Sequence, residues 1–180
     1  MKIPFDGSLI MHATCVDVNG SGVLIIGRPG SGKSSIAINL LALGATLVAD
    51  DQCELARKNN RFYIYKPASL PESIEIRGVG LVSVPMVNET SLDWVVNMDE
   101  AEKERMPTPR FTEIGDFRVP TVFGKDMDDL ASRIYVLVSN ALSWIKYVVE
   151  LALFKEKKKT KLILVSGPAG AGRTTAIRSL

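Results

Sequence analysis

The chain has 180 residues, of which 46% are apolar and 23% are charged, and its formal net charge is +2. These values are typical of a folded globular protein, so they exclude global disorder and give no reason to expect nucleic acid as a partner. Its two cysteines form no disulfide framework, and the first residues lack the apolar core of a signal peptide. We therefore expect a cytoplasmic protein.

The first elements predict a β-hairpin. Residues 9–18 are rich in β-forming residues, residues 19–22 (Asn-Gly-Ser-Gly) tolerate positive φ, and residues 23–26 are apolar. The only histidine, His12, is expected on the first strand of this hairpin. A solitary histidine is more often a structural residue than a catalytic one.

A phosphate-binding pattern, GxxxxGK[ST], follows the apolar run and precedes a helical segment. Its glycines allow positive φ, so several backbone N–H groups can surround a polyphosphate at the positive end of the helix. Lys33 is expected to neutralise the β and γ oxygens of a nucleotide, and Ser34 to offer its hydroxyl to Mg²⁺. A glycine-rich turn without a ligand is the alternative. The predicted loop comprises Gly27, Arg28, Pro29, Gly30, Ser31, Gly32, Lys33 and Ser34.

A helix over residues 34–43, ending at Gly44, and a strand over residues 45–49 complete a βαβ pattern. Its crossover is expected to be right-handed, with both strands ending at the same edge of the sheet. Asp50 and Asp51 would then lie beside the phosphate loop. One carboxylate can hold the water shell of Mg²⁺, and the other can accept the proton of an attacking hydroxyl. The alternative is a polar strand end followed by a turn.

The remaining segments predict further strands and a helix. We expect a hairpin over residues 52–65, a short strand over residues 73–76 followed by a glycine turn, and a strand over residues 92–98. Residues 111–125 are expected to form short strands and loop, and residues 126–154 mostly helix. The apolar segment 134–154 is interrupted by polar residues, so it predicts a packed amphipathic helix rather than a membrane span.

Four motifs stand in the order and approximate spacing found in HPr kinase/phosphorylase, the serine kinase of the phosphocarrier protein HPr. The chain resembles this family over about residues 8–145, in the short form that lacks the N-terminal domain. The resemblance implies an α/β fold with a P-loop kinase core of the phosphoenolpyruvate carboxykinase-like type, a mixed sheet with flanking helices, and a hexamer. The four motifs are residues 12–14 (His-Ala-Thr), the phosphate loop, residues 47–51 (Leu-Val-Ala-Asp-Asp) and residues 74–80 (Ile-Glu-Ile-Arg-Gly-Val-Gly).

The resemblance also implies roles for individual residues. By matching positions, the catalytic set is His12, Lys33, Asp51 and Arg105, with Asp51 as the base in phosphorylation and the acid in the reverse reaction. Ser34 and Glu75 correspond to metal ligands, beside Asp50. The family's basic loop for dephosphorylation corresponds to residues 120–125, which keep the glycine and one cation but lack the second.

The C-terminal end departs from this pattern. Residues 161–175 resemble the opening of the nucleotide-binding RNase adapter family, with Arg173 where lysine is expected. We therefore expect residues 1–154 to form the P-loop catalytic domain. Residues 155–180 are expected to be a basic linker followed by a partial second P-loop-like strand, loop and helix.

The leading hypothesis is an ATP-dependent and Mg²⁺-dependent serine kinase that phosphorylates HPr and regulates carbon metabolism through the phosphotransferase system. The alternative is a regulatory ATP-binding module with reduced catalysis, which the shortened basic loop supports. A small-molecule kinase that uses the same phosphate loop is a third option. None of the three needs nucleic acid or a membrane as a partner.

Overall fold

A computed structural model describes residues 1–69, 71–145, 148 and 149. The chain divides into two compact units, Met1–Ala141 and Leu142–Leu180. In the second unit the described residues, 142–145, 148 and 149, are helical. The expected basic linker, the partial second P-loop and the boundary at residue 154 lie outside the described residues, so they stay predictions.

The described part of the first unit contains twelve strands and two helices. Strands alternate with short turns, and the helices follow the phosphate loop and the last strand. The elements are β1 (Lys2–Ile3), β2 (Ser8–Met11), β3 (Ala13–Val18), β4 (Ser21–Ile26), α1 (Lys33–Ala42), β5 (Thr46–Ala49), β6 (Cys53–Lys58), β7 (Arg61–Tyr65), β8 (Ile74–Ile76), β9 (Gly80–Val82), β10 (Glu89–Asn97), β11 (Arg110–Ile114), β12 (Phe117–Phe123) and α2 (Leu130–Ser139).

Ten strands form one mixed sheet. Its main order is β1-β11-β12-β10-β4-β3-β5, and β7, β6 and β2 branch from β10. The long strand β10 serves both parts, since residues 89–91 pair antiparallel with β7 and the later residues pair parallel with β4 and β12. Strands β8 and β9 form a separate hairpin. The expected mixed sheet with flanking helices is confirmed.

Alternate residues of the central strands face two different cores. Cys15, Leu24 and Val95 belong to one apolar cluster together with Phe62 and Ile64 of the branch. Because successive side chains of a strand point to opposite faces, their neighbours face the other side of the sheet. Strands β3, β4 and β5 contact α1, and β3 also contacts α2, so the helices cover that second face.

Local turn chemistry explains where several elements end. Asn19 and Gly20 join β3 to β4, and Asn59 and Asn60 join β6 to β7, all four with positive φ, which is the requirement of a tight hairpin turn. Helix α1 ends in a Schellman motif around Gly44, whose φ is 102°. The Gly44 amide donates to the carbonyl of residue 41, and the next amide donates to the carbonyl of residue 40, both at 3.0 Å. The predicted helix stop is confirmed.

The N-terminal hairpin differs from expectation in one respect that shapes the site. Residues 9–18 do not form one strand, because the chain bends at His12. Strand β2 pairs with β6 in the branch, whereas β3 pairs antiparallel with both β4 and β5. Strands β4 and β5 are therefore parallel and end at the same edge, as expected, but β3 lies between them.

Three other segments differ in extent. The strand predicted over residues 92–98 begins at Glu89, where its pairing with β7 starts. Residues 110–123 form a regular antiparallel pair, β11 and β12. Helix α2 begins only at Leu130, because Asp126 and Asp129 both have positive φ, and it ends at Ser139. Among the described residues, no helix is long and apolar enough to cross a membrane.

We predict that Gly22→Ala destabilises the fold. A Cβ at this position would overlap the backbone carbonyl of Ser91 and lie 2.5 Å from Cγ2 of Thr90, so β4 and β10 would have to separate. We expect a loss of about 2–3 kcal/mol in the free energy of unfolding, measured by urea denaturation. Ser21→Ala, one residue earlier, is the control and should change stability by less than about 0.5 kcal/mol. Equal stability of both variants would contradict the packing described here.

Candidate active site

The phosphate loop joins the end of β4 to the start of α1. Gly27, Gly30 and Gly32 have φ values of 153°, 76° and 93°, so the positive φ that the pattern predicts is present at all three. The Ser31 amide donates to the carbonyl of Arg28 at 3.1 Å, which closes a turn within the loop. The amides that begin α1 complete an arrangement suited to an anion.

Lys33 lies inside this loop, with only 6% of its surface exposed. Its ammonium donates to the carbonyl oxygens of Gly27 at 3.0 Å and Arg28 at 3.3 Å. Its third neighbour is Nε2 of His12, at 3.2 Å. The cation is therefore held where a phosphate on the loop amides would approach it.

His12 connects Lys33 to the end of β5. Its Nδ1 lies 2.8 Å from the backbone carbonyl oxygen of Asp51. A carbonyl oxygen only accepts hydrogen bonds and an ammonium only donates them, so the network assigns the proton to Nδ1 and leaves Nε2 to accept from Lys33. His12 is thus a neutral bridge in this geometry. Its position at a bend, rather than on a strand, allows both contacts.

Asp50 is linked to the phosphate loop by hydroxyl groups. Its Oδ1 accepts from Oγ of Ser34 at 2.9 Å and from Oγ1 of Thr14 at 2.8 Å. Thr14 is fully buried on β3. Sequence reasoning assigned no individual role to Thr14, although it belongs to the His-Ala-Thr motif at residues 12–14.

Asp51 occupies a different environment. Strand β5 ends at Ala49, as the strand predicted over residues 45–49 does, so both acidic residues lie just beyond it. The backbone of Asp51 is left-handed, with φ of 67°, and the residue is exposed to solvent. Such strained backbone recurs at functional sites. The Asp51 carboxylate forms no hydrogen bond or ion pair within the described part of the chain, whereas its carbonyl holds His12.

The donor set suits Mg²⁺, which prefers oxygen ligands and takes only one or two from protein beside phosphate oxygens and water. Ser34 and Asp50 supply a hydroxyl and a carboxylate that already touch. Glu75 is exposed on β8, a strand that contacts α1, and in the described residues no hydrogen bond joins it to this pair. The described residues contain no group of three or more His, Cys, Asp or Glu side chains that could hold a metal ion.

The end of β10 fixes the phosphate loop from a second side. The Arg28 amide donates to both carboxylate oxygens of Asp99, at 3.1 and 3.2 Å, and the Arg28 side chain lies 3.7 Å from the same carboxylate. The Asp99 amide in turn donates to the Asn97 side chain at 2.9 Å. Sequence reasoning missed this contact. The contact joins the backbone amide of Arg28 in the phosphate loop to the carboxylate of Asp99.

Arg105, the fourth residue of the expected catalytic set, lies in the connection from β10 to β11. It is exposed and has no hydrogen bond or ion pair to other described residues, so no contact brings it to Lys33 or Asp51. Its neighbours are fixed, because Arg110 bonds to both Glu102 and Glu104 at 3.3 Å. Burial raises the pKa of Glu102, but the hydrogen bonds from Arg110 and from two backbone amides outweigh it, so its pKa is lowered.

The two cysteines lie beneath the site. Cys15 and Cys53 are free thiols and fully buried. Burial is the main reason that the pKa of each thiol is raised, and the nearby Asp50 raises the pKa of Cys53 further. Both therefore remain protonated core residues.

Two cavities lie away from the phosphate loop. The larger, about 440 Å³, is lined mainly by residues of β1, β11 and β12, including Lys2, Arg110 and Phe111. The smaller, about 190 Å³, lies between β7, β10 and β12. Residues 28–30 of the loop and Asp51 are exposed to solvent.

Comparison with known proteins gives a consistent result. A family model described as the HPr serine kinase C-terminal domain matches residues 5–123. The HPr kinase/phosphorylase of Mycoplasmopsis pulmonis is 29% identical over 125 residues, which are 62% of this chain and 40% of that protein. That of Thermoanaerobacter pseudethanolicus is 31% identical over 105 residues, 54% of this chain and 34% of that protein. The chain thus spans less than half the length of these curated relatives.

A solved structure is also similar. The HPr(Ser) kinase/phosphatase from Coxiella burnetii has a TM-score of 0.65 and 25% sequence identity, and the match covers 81% of this chain and 98% of that one. The expected P-loop kinase-like fold is confirmed.

We predict that Gly27→Ala weakens nucleotide binding. A Cβ here would lie 2.6 Å from Oγ of Ser31 and 2.9 Å from Cβ of Met98, at a φ that only glycine adopts easily. The loop would have to shift, and we expect the dissociation constant for ATP to rise about tenfold or more by calorimetry. Gly20→Ala, at a positive φ with open space around it, is the matched control. Unchanged affinity in the Gly27 variant would mean that the loop geometry does not bind the nucleotide.

Proposed function

The chain belongs to the HPr serine kinase C-terminal domain family, and from this membership we propose that it is an ATP-dependent and Mg²⁺-dependent protein serine kinase acting on HPr. The observation that carries the proposal is the connection of the phosphate loop to both acidic residues. Ser34 bonds to Asp50, and Lys33 reaches Asp51 through His12. The groups proposed to bind a triphosphate and the residue proposed as the base therefore lie at one edge of the sheet.

The phosphate end of the nucleotide is bound by the residues that are already in place. The loop amides and Lys33 bind the β and γ phosphates of ATP, with the ammonium leaving one of its carbonyl contacts to do so. Ser34 and Asp50, with Glu75 by resemblance, would hold Mg²⁺. When bound, the cation neutralises charge on the phosphates and orients them.

The acceptor end is formed by Asp51. Its exposed carboxylate accepts the proton of a serine hydroxyl while the serine oxygen attacks the γ phosphorus, and the bond to the β–γ bridging oxygen breaks to release ADP. His12 holds the Asp51 backbone in position. Arg105 is proposed to stabilise the charge of the transferring group, which requires the loop after β10 to close over the nucleotide.

The finer features rest on the resemblance. We propose HPr as the protein substrate, assembly as a hexamer, and a role in the cytoplasm in regulating the phosphotransferase system. The reverse reaction, phosphorylase activity, is tested by incubating serine-phosphorylated HPr with the protein and phosphate. Residues 120–125 approach the site region, since the amide of Gly124 donates to the carbonyl of Asn97 and that of Lys125 to the carbonyl of Glu100.

Two substitutions separate binding from transfer. Lys33→Ala should raise the dissociation constant for ATP about 10- to 100-fold, because it removes a charged hydrogen-bond donor. Asp51→Asn should keep ATP binding and lower the rate of HPr phosphorylation about 10²- to 10⁴-fold, because the base is lost. The measurements are calorimetry and mass spectrometry of HPr. Asp116→Asn, an exposed residue paired with Arg57, is the control.

The alternative, a regulatory ATP-binding module, makes a different prediction for the same assay. The parent protein would bind Mg–ATP and melt at a higher temperature in its presence, yet transfer no phosphate to HPr.

If the Asp51→Asn variant transfers phosphate at the rate of the parent protein, Asp51 is not the base.

We also predict that Arg110 supports Arg105. Arg110→Gln breaks the contacts to Glu102 and Glu104, which closely precede Arg105, so the loop loses its fixed shape. The turnover number for HPr phosphorylation should fall about tenfold, while the Michaelis constant for ATP stays the same. Arg57→Gln, which breaks the exposed pair with Asp116, is the matched control and should have no effect. A similar loss in both variants would contradict the role given to the 102–110 loop.

A further inference from the structure

Thr14 is an unusual residue at its position. Its neighbours on β3, Ala13 and Cys15, are apolar and fully buried, as Thr14 itself is. A valine would have the same shape, and burying a hydroxyl without a partner is unfavourable. The partner of this hydroxyl is Oδ1 of Asp50, at 2.8 Å. The hydroxyl of Thr14 therefore contributes a hydrogen bond to Asp50 rather than apolar packing to the core.

The two hydroxyls that reach Asp50 bind the same oxygen. Thr14 and Ser34 both donate to Oδ1, and within the described residues no hydrogen bond reaches Oδ2 and no ion pair involves Asp50. Asp50 is half-buried, where a carboxylate needs either donors or a cation. One oxygen is thus fixed by the protein while the other is left to accept a ligand.

We propose that Thr14 is a positioning residue for the divalent cation that accompanies the nucleotide. By holding Oδ1, Thr14 turns Oδ2 of Asp50 toward the cation or a water molecule bound to it. Without Thr14, Ser34 would be the only donor to Asp50, and it would have to hold this carboxylate while its own hydroxyl oxygen binds the metal. Thr14 supplies a second donor. This inference rests on the proposed function, because it assumes that Mg²⁺ binds with the nucleotide beside Ser34. Groups that orient a metal ligand without touching the metal alter metal affinity strongly.

The test is the Mg²⁺ dependence of nucleotide binding, measured by calorimetry on the full chain with a non-hydrolysable ATP analogue. Thr14→Val should raise the Mg²⁺ concentration needed for half-maximal binding about tenfold or more. Binding of the analogue without Mg²⁺ should stay the same, because Lys33 and the loop amides are unchanged. Thr14→Ser, which keeps the hydroxyl, should restore the Mg²⁺ dependence to within about twofold of the parent.

A matched control addresses the general cost of losing a buried hydroxyl. Thr112 is also fully buried, and its hydroxyl oxygen accepts from Oγ1 of Thr121 at 2.9 Å on strands away from the loop. Thr112→Val should leave the Mg²⁺ dependence unchanged. The Mg²⁺ dependence is also measured for Thr14→Ala. If one of the two Thr14 variants does not fold, the other still tests the proposal. Melting temperatures identify variants that are folded.

The outcomes distinguish this inference from the proposed function. If the Mg²⁺ dependence is the same in Thr14→Val, Thr14→Ala and the parent, Thr14 has no positioning role, even if HPr is phosphorylated. If the dependence shifts as expected while HPr receives no phosphate, the role of Thr14 stands and the kinase assignment falls. A parent protein that binds no Mg–nucleotide overturns both.

Discussion

The placement of β3 between β4 and β5 is the constraint on which the site depends. The phosphate loop follows β4 and the two acidic residues follow β5, so their anchoring strands are two inter-strand spacings apart, about 10 Å. The backbone alone cannot bring them together. His12 and the first residues of β3 fill this gap, because His12 bonds to Lys33 and Asp51 while Thr14 bonds to Asp50.

This arrangement also keeps the charges of the site available. Lys33 is satisfied by two carbonyl oxygens and a neutral imidazole, and Asp50 by two hydroxyls. A direct ion pair between Lys33 and either acid would have to break before a phosphate or a metal could bind. Carbonyl, imidazole and hydroxyl groups hold the same charged groups in position, and less free energy is lost when a phosphate or a metal replaces them. Phosphoryl transfer requires such preorganisation.

Much of this could be read from the sequence because it is local. The glycines of the phosphate loop, the Asn-Gly hairpin and the Gly44 helix end depend on residues a few positions apart, and each appears where it was predicted. Sheet order is different, since the pairing of β3 with β5 joins residues about thirty positions apart and leaves no local pattern. The contact of Thr14 with Asp50 follows from that pairing, and the bend at His12 follows from the pairing of β2 with β6. Sequence reasoning therefore identified the acids, Ser34 and His12, but not the contact of Thr14 with Asp50 or that of His12 with the Asp51 backbone. The roles of Glu75 and Arg105 depend on the resemblance alone.

The solvent exposure of the site residues indicates which kind of molecule could accept the phosphate. The groups proposed to bind the phosphates and orient the metal ligand, Lys33 and Thr14, are buried, whereas His12, Asp51 and Arg105 are exposed. Enzymes that act on small molecules usually surround the acceptor in a concave pocket, which excludes water and orients it. Here the proposed base is exposed just beyond β5, at the edge of the sheet where the phosphate loop also begins. A serine on the surface of another folded protein can reach such an edge and bring its own surface to exclude water. The exposed position of the proposed base therefore supports the proposal of a protein acceptor over that of a small molecule.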